Sequence, residues 1–334
     1  MAAHNLPSEV QDTMVSFETD FLTSLQSMPP SWLDKSLCSF KTLGAQFEKA
    51  RFPVPVTAAE YRQFTGTAEY RQLMAKFFDC EYAEWQDGVA AKVTTLMSGD
   101  WTGWDQQPEA FAVAARTLEE KRAALALEAN ATSWDGVTFF HTQHLINVLN
   151  PALLQYNDNT MFSMTVSPAN FDAINDRFMG FRAPNGENMG LELAGFLAPS
   201  ALWTSIDNIV RPRGATVTTE SSGTDPTRWS GRIWNRRAPQ LTVATDYYAI
   251  ATNRPDIKPL AACRKLAPGG IDMATGRVST GGEIETIIDD MSSELYKHGS
   301  GGIPSGSVAI GKRKRFEART AHHLAIIRCR TAAS

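Results

Sequence analysis

The chain has 334 residues, enough for one large domain or two to three small ones. Apolar residues make up 43% and charged residues 20%, an ordinary globular composition that excludes a disordered or collagen-like chain. Lys plus Arg number 32 against 36 Asp plus Glu, a net charge of −4, so no global basic excess drives whole-molecule binding to nucleic acid and any such contact must be local.

The segment 1–30 is polar and partly amphipathic. Val10, Met14, Phe17, Phe21 and Leu25 recur at helical spacings of three and four, and Pro29-Pro30 stops the helix. An arm isolated in this way packs on a neighbouring molecule as readily as it builds a core. Met1 to Leu25 carries Glu9, Asp12, Glu18 and Asp20 and no Lys or Arg, which is not the pattern of a secretory signal. The apolar runs fall short of the roughly 20 residues that cross a bilayer, so a soluble protein with no membrane partner is expected.

Arg51-Phe52-Pro53-Val54-Pro55-Val56 must be extended, because each proline pushes its predecessor out of the helical region. Thr57 is placed to cap a short helix through Tyr61 and Phe64. The triplets Tyr61-Arg62-Gln63 and Tyr70-Arg71-Gln72 are too short to be a structural repeat. Phe77 to Met97 reads as strand with a turn signal at Asp87-Gly88, either a long hairpin or two edge strands with a helical insertion, closed by Asp100–Trp104. Pro108 then opens the clearest element. Phe111, Ala115, Leu118, Arg122, Leu125 and Ala129 predict an alanine-rich helix of roughly 22 residues, about 33 Å long, suited to a structural spine.

Asp135-Gly136 marks a turn and Val137-Thr138-Phe139-Phe140 a short strand. Ser167-Pro168 caps and opens a helix through Phe171, Ile174 and Phe178, and Asn185-Gly186 is a turn. Leu191 to Leu197 reads as a buried strand, and Pro199 opens a helix carrying Leu202, Trp203, Ile206 and Ile209. Residues 211–237 read as loop, Leu241–Ala244 and Tyr247–Ile250 as strands, and Leu324–Ile327 as the last strand. Ile284, Ile287 and Ile288 are spaced as a helical face before Asp289-Asp290. Gly269-Gly270, Gly281-Gly282 and the Gly299–Gly306 run punctuate the C-terminal part. This mixture is an α+β or α/β signature, woven through long excursions rather than divided by a linker.

No catalytic constellation emerges. His141 and His144 lie three apart without the glutamate of a zincin. Adjacent His322-His323 point to opposite faces of a strand and make a poor metal pair. There is no GxSxG elbow and no phosphate-binding glycine loop; Gly311-Lys312 is followed by Arg313. Cys38, Cys80, Cys263 and Cys329 form no CxxC pair, and so few thiols in so long a chain fit a reducing compartment better than a disulfide framework. No catalytic residue, metal or cofactor is therefore expected. The strongest charge run is Lys312-Arg313-Lys314-Arg315, read either as a solvated strand face making intersubunit ion pairs or as a phosphate-meeting stripe. Arg228, Arg232, Arg236 and Arg237 interleave with Trp229 and Trp234, a pattern shared by single-strand nucleic-acid binders and protein–protein hot spots.

Trp134-Asp135-Gly136, Phe139-Phe140, His144 and Asn147 resemble the Mu-like major head subunit (gpT) family of tailed-phage major capsid proteins. Trp85-Gln86-Asp87-Gly88-Val89, Gly186, Gly190, Leu191 to Pro199, Tyr247-Tyr248, Ile257-Lys258-Pro259-Leu260 and Arg264-Lys265 agree in order, over roughly residues 50–330. The resemblance implies an α+β Hong Kong 97-type capsid fold. Its N-terminal arm would be 1–34, its extended E-loop hairpin and connections 35–104, and its peripheral domain with the long spine helix 105–150. The axial domain would be 151–250, and 251–334 would return through both domains.

The resemblance implies a non-enzymatic protein that self-assembles through pentamers and hexamers into an icosahedral head enclosing double-stranded DNA. Scaffold, decoration and portal proteins would be partners, and the virion, assembled in the host cytoplasm, its location. Lys312, Arg313, Lys314, Arg315, Arg232, Arg236 and Arg237 would serve subunit contacts or the DNA-facing surface. A gene-transfer particle or encapsulin-like compartment is the nearest alternative. A metal-dependent hydrolase using His141, His144 and Asp135, and a single-strand binder using Trp229, Trp234 and neighbouring arginines, are alternatives of other classes.

Overall fold

The computed structural model describes residues 8–44, 46–55, 75–92, 106–147, 152, 154–211, 229–251, 257–266, 270–271, 278–279, 284–289 and 307–332. The expected helix from Thr57, the two Tyr-Arg-Gln triplets, Asp100–Trp104, Arg228, Gly281-Gly282 and Gly299–Gly306 lie outside the described residues.

The first helix, α1 (Ser8–Ser27), ends just before the two prolines. Its Phe17 and Phe21 are buried against Phe111 and Ala112 of the longest helix, α2 (Gln107–Ala129), so the arm lies on its own chain. Phe17 and Phe111 meet edge to face at 5.9 Å. As expected, Pro108 lies in the first turn of α2, which runs for 23 residues. Phe111, Ala112, Glu119, Ala123, Ala124 and Leu127 are buried, while Leu125 and Ala129, which share the helical spacing of Phe111, are exposed. The buried stripe contains a carboxylate, which hydrophobic spacing alone passes over.

The strands of the first half are β1 (Cys38–Leu43), β2 (Lys49–Pro55), β3 (Ala75–Glu81), β4 (Ala83–Lys92), β5 (His144–Leu145), β6 (Tyr156–Asn157) and β7 (Thr160–Met161). Those of the second half are β8 (Gly195–Ala198), β9 (Trp234–Arg237), β10 (Asp246–Ile250), β11 (Leu260–Lys265), β12 (Gly270–Ile271), β13 (Val278–Ser279), β14 (Ile284–Asp289), β15 (Ser307–Thr320) and β16 (Ile326–Arg330). A first sheet has the order β1-β11-β15-β14-β13-β12, with β4 along the other edge of β15; a second has the order β7-β16-β10-β8-β9. The pairs β2–β3 and β5–β6 form separate two-stranded ribbons.

The hairpin expected around Asp87-Gly88 is a different one. β4 runs straight through these residues, because Asp87 and Gly88 face Lys312 and Gly311 in the long ladder with β15. The antiparallel hairpin partners are β2 and β3, with Phe52 opposite Phe78. Ile284–Asp289 is likewise strand, not helix: its β-branched residues fill the edge of β15 between it and β13.

Two other expected strands lose their N–H groups to side chains and turns. Phe139 N donates to Ala131 O and Phe140 N to the Asn130 side chain, so only an isolated bridge between Thr132 and Thr138 remains. Thr242 N and Val243 N donate to Glu128 in the last turn of α2, which removes Leu241–Ala244 from any ladder. Leu193 N donates to Asn175 Oδ1, so the strand expected from Leu191 begins only at Gly195. Trp234–Arg237, read as loop, pairs in parallel with β8. The last strand starts at Ile326, after a 3₁₀ turn at His323–Ala325.

The helices α3 (Pro168–Met179) and α4 (Ser200–Val210) match their expected starts; the Ser167 side chain accepts from Asn170 N. Phe171, Ile174 and Phe178 of α3 and Ile206 and Val210 of α4 cover one face of the second sheet. Leu197, Tyr248, Ile250 and Ile326 on its other face join Ala123, Ala124 and Leu127 of α2 and Leu260, Ala262 and Phe316 of the first sheet. The second sheet is thus buried on both faces, and α2 lies in the core that the two sheets share. Among the described residues no helix is long and apolar enough to cross a membrane.

At the β8–β9 pairing the Trp234 ring lies on Gly195, where an added Cβ would sit 2.2 Å from the ring. Gly195→Ala is expected to destabilise the chain by about 1–3 kcal/mol through overpacking. Urea unfolding checks this, and a change below about 0.5 kcal/mol would show that the contact relaxes freely.

Candidate functional site

The Lys312–Arg315 run falls on β15, where successive side chains alternate between faces. Lys312 and Lys314 are buried on the helix side. Lys312 Nζ pairs with Glu18 of α1 and lies 3.8 Å from the centroid of the Phe21 ring. Burial lowers the Lys312 ammonium, and Glu18 offsets part of that. Lys314 Nζ meets Glu119 Oε1 at 2.8 Å, and Arg264 Nη2 of β11 meets Glu119 Oε2 at 2.8 Å. Arg313 reaches Gln86 Oε1 at 3.5 Å, and Arg315 Nε pairs with Glu84 at 2.5 Å; both partners lie on β4. Arg122 of α2 adds two hydrogen bonds to Glu317, at 3.0 and 2.8 Å, and lies over the Trp85 ring.

The second basic cluster is divided. Arg236 donates to Trp32 O at 3.1 Å, pairs with Asp34 at 2.7 Å and stacks on Trp234. Burial raises the Asp34 carboxyl, but hydrogen bonds from Arg236 and Ser36 outweigh it and hold it at about 2. Arg237 is exposed and donates to Ser200 Oγ, and Arg232 is exposed. Trp229 is buried beside α3, donating to Asp172 Oδ1, so it offers no face on which a base could stack.

The histidines form a group that spacing does not reveal. Asp135 Oδ2 contacts His144 Nδ1 at 2.6 Å, and His144 Nε2 lies 3.0 Å from Phe139 O. A carbonyl accepts only, so Nε2 carries hydrogen, and the contact to Asp135 requires a proton between the two acceptors. His323 stacks on His144 with centroids 3.7 Å apart and 6° between planes, and Trp134 stacks on His323 from the other side. His141 stays outside; its Nδ1 accepts from Gln143 N. Asn159, fully buried, donates to Phe139 O and His323 O.

Asp135, His144 and His323 have the residue types of a metal centre and lie close enough together. Their geometry does not fit one. A metal lies in the plane of each imidazole that binds it, and two rings stacked face to face share no such position. His144 also has both nitrogens engaged. The group is a buried joint between the loop after α2 and the turn from β15 to β16. It brings Asp135 and His144 together as the hydrolase alternative requires, but replaces His141 with His323, 179 residues from His144 in sequence.

No protein-family profile matches this sequence, and no curated protein sequence matches it. Solved structures do. The bacteriophage PhiM1 mature capsid superposes with a TM-score of 0.51 at 10% identity, covering 91% of this chain and 89% of that one. The capsid of Cyanophage P-SCSP1u superposes with a TM-score of 0.50 at 9% identity, covering 92% of each chain. The chain has the Hong Kong 97-type capsid fold. The basic run on β15 holds α1 and α2 to the sheet beneath them.

Two outcomes follow from this geometry. Glu119→Ala leaves Lys314 and Arg264 without their shared carboxylate and is expected to destabilise the chain by about 3–5 kcal/mol in chemical denaturation; a loss below 1 kcal/mol would contradict the buried pairing. The second concerns pH. Burial, His144 and His322 hold the fully buried His323 well below its usual 6.5, while Asp135 and Trp134 face the same cluster. The folded state therefore resists a proton that the unfolded state takes up. This contribution is intact above pH 6.5 and is lost as pH falls below that value. Melting temperatures between pH 7.5 and 5 should fall, and less so in His323→Phe, which keeps a stacked ring without titration. Asp34 does not contribute over this range, because its carboxyl starts to protonate only well below it.

Proposed function

We propose that this chain is a major capsid protein that self-assembles into the icosahedral head of a tailed phage and encloses double-stranded DNA. The observation that carries the reading is the fold itself, matched over about nine-tenths of this chain and of two phage capsid chains. The ordered motifs from Trp85 to Arg264 support a finer placement with the Mu-like major head subunits. Residues 1–34 would serve as the arm, 35–104 as the E-loop region, 105–150 as the peripheral domain with the spine, 151–250 as the axial domain, and 251–334 as the return. Pentamers and hexamers would form through heterologous contacts that close into rings. Scaffold, decoration and portal proteins complete the partners of this reading, with assembly in the host cytoplasm and a final location in the virion.

Mechanical containment asks for many interfaces rather than a reactive cleft, and no enzymatic role is part of the proposal. Lys312, Lys314 and Arg236 are committed to contacts within the chain. In this reading contacts with neighbours or DNA would fall to the exposed Arg232 and Arg237, with Arg313 a further candidate, whereas Arg315 is held by Glu84.

The full chain, expressed alone and with its neighbouring phage genes, should give capsomers or closed shells by size exclusion and negative-stain microscopy. A protein that remains monomeric at high concentration in both settings would sink the reading. Nuclease-protected double-stranded DNA inside the particles separates a phage head from a protein-filled compartment.

A further inference from the structure

Cys80 of β3 and Cys263 of β11 lie 183 residues apart in sequence, yet their Sγ atoms are 3.2 Å apart. Both side chains are fully buried. They sit in the apolar patch of Leu43, Ala50, Phe52, Ala261 and Ala321 that seats the hairpin on the first sheet. Among the described residues no backbone ladder joins the hairpin to that sheet. Around the patch, Lys265 Nζ donates to Tyr82 Oη at 2.7 Å and Arg319 Nη1 donates to Asp79 O at 3.1 Å. The hairpin is thus held by side chains, with two sulfurs meeting at the centre of the contact.

A disulfide requires an S–S distance near 2.05 Å, so the sulfurs need to close by about 1.2 Å, within reach of small side-chain rotations. We propose that Cys80 and Cys263 form a disulfide when the chain meets a low-molecular-weight disulfide oxidant, fastening the base of the β2–β3 hairpin to the first sheet. The thiolate of one cysteine attacks a sulfur of the oxidant RSSR, breaks its S–S bond and releases RS⁻. The second cysteine, as its thiolate, attacks the mixed disulfide and releases the second RS⁻. Two cysteine thiols give up two electrons and two protons, and the oxidant leaves as two thiols RSH. Local opening of the hairpin would admit the oxidant to the buried pair.

In a reducing compartment the pair stays as two thiols, consistent with the sparse cysteine content. For a particle released from a cell, the change of surroundings would close the bond; that trigger rests on the shell reading, whereas the bond itself does not. Cys38 and Cys329 lie in two other clusters and serve as internal controls.

The experiment uses the full chain, purified under reductant, exchanged into oxidised glutathione, warmed to a few degrees below its melting temperature and then alkylated in denaturant. Intact mass and peptide mapping should show two alkylated thiols instead of four and a linked pair of peptides carrying Cys80 and Cys263. The link should persist in Cys38→Ser and Cys329→Ser and vanish in Cys80→Ser and Cys263→Ser. Reducing the oxidised chain should lower its melting temperature by about 5 °C or more, because the bond closes a long loop. Four alkylated thiols, or a link through Cys38 or Cys329, would overturn the proposal. A chain that forms the bond but no shells leaves this inference standing and removes the function proposed above, and shells with four free thiols do the reverse.

Discussion

A carboxylate on the buried face of a helix fixes how that helix is placed. Glu119 lies among Phe111, Ala112, Ala123, Ala124 and Leu127, all buried, and its charge is met by Lys314 of β15 and Arg264 of β11. Rotation of α2 about its axis would take Glu119 away from both cations and break a buried ion pair on each side of it, a cost of about 3–5 kcal/mol. With the helix orientation fixed, the alanines behind Glu119 allow close approach. Leu260, Ala262 and Phe316 of the first sheet and Leu197, Tyr248 and Ile326 of the second pack into one core with them. The apolar contacts supply most of the stabilisation, and the ion pairs select a single arrangement of it.

The same reasoning explains what the sequence made legible. Elements defined by local chemistry were readable: the proline stop after α1, Pro108 at the start of α2, the Ser167 cap and Pro199 before α4 all act within one turn. Elements decided by distant partners were not. Asp87-Gly88 has the residues of a turn, but the ladder from β15 passes opposite and keeps it extended. Val137–Phe140 and Leu241–Ala244 have strand-forming residues, but Asn130 and Glu128, at the two sides of the end of α2, take their N–H groups first. Ile284, Ile287 and Ile288 fit a helical period and a strand edge equally, and only the edge of β15 decides between them. The basic run was visible as charge, whereas its division between buried lysines and outward arginines depends on which face α1 and α2 cover. His323 joins His144 and Asp135 from the far end of the chain, so no local spacing signals it.

The hairpin has a different relation to the rest of the molecule from either sheet. Two strands alone are marginal in water, and β2 and β3 gain support from one apolar patch and a few polar ties rather than from a shared ladder. Phe77 on its outer side is largely exposed, with the Arg51 guanidinium 5.8 Å from its ring centroid. The ribbon continues through Tyr82 into β4, whose ladder with β15 anchors that end, so its base is held by the chain itself as well as by side chains.

The buried histidine joint shows why residue type alone is a weak guide to chemistry in such a protein. Asp135 with His144 repeats the carboxylate–imidazole pairing that orients a general base. A base needs one ring nitrogen free to take a proton from a reactant, and here the second nitrogen faces Phe139 O in a fully buried setting. What remains is a set of directional contacts joining the end of α2, the β5–β6 ribbon and the turn into β16. Polar groups suit that junction because three chain segments change direction there and expose backbone carbonyls that an apolar filler would leave unpaired. Asn159 and His144 both reach Phe139 O, and Asn159 also reaches His323 O. The joint therefore ties the β15–β16 turn to the loop after α2 through stacked rings and hydrogen bonds, a structural use of side chains that elsewhere would serve catalysis.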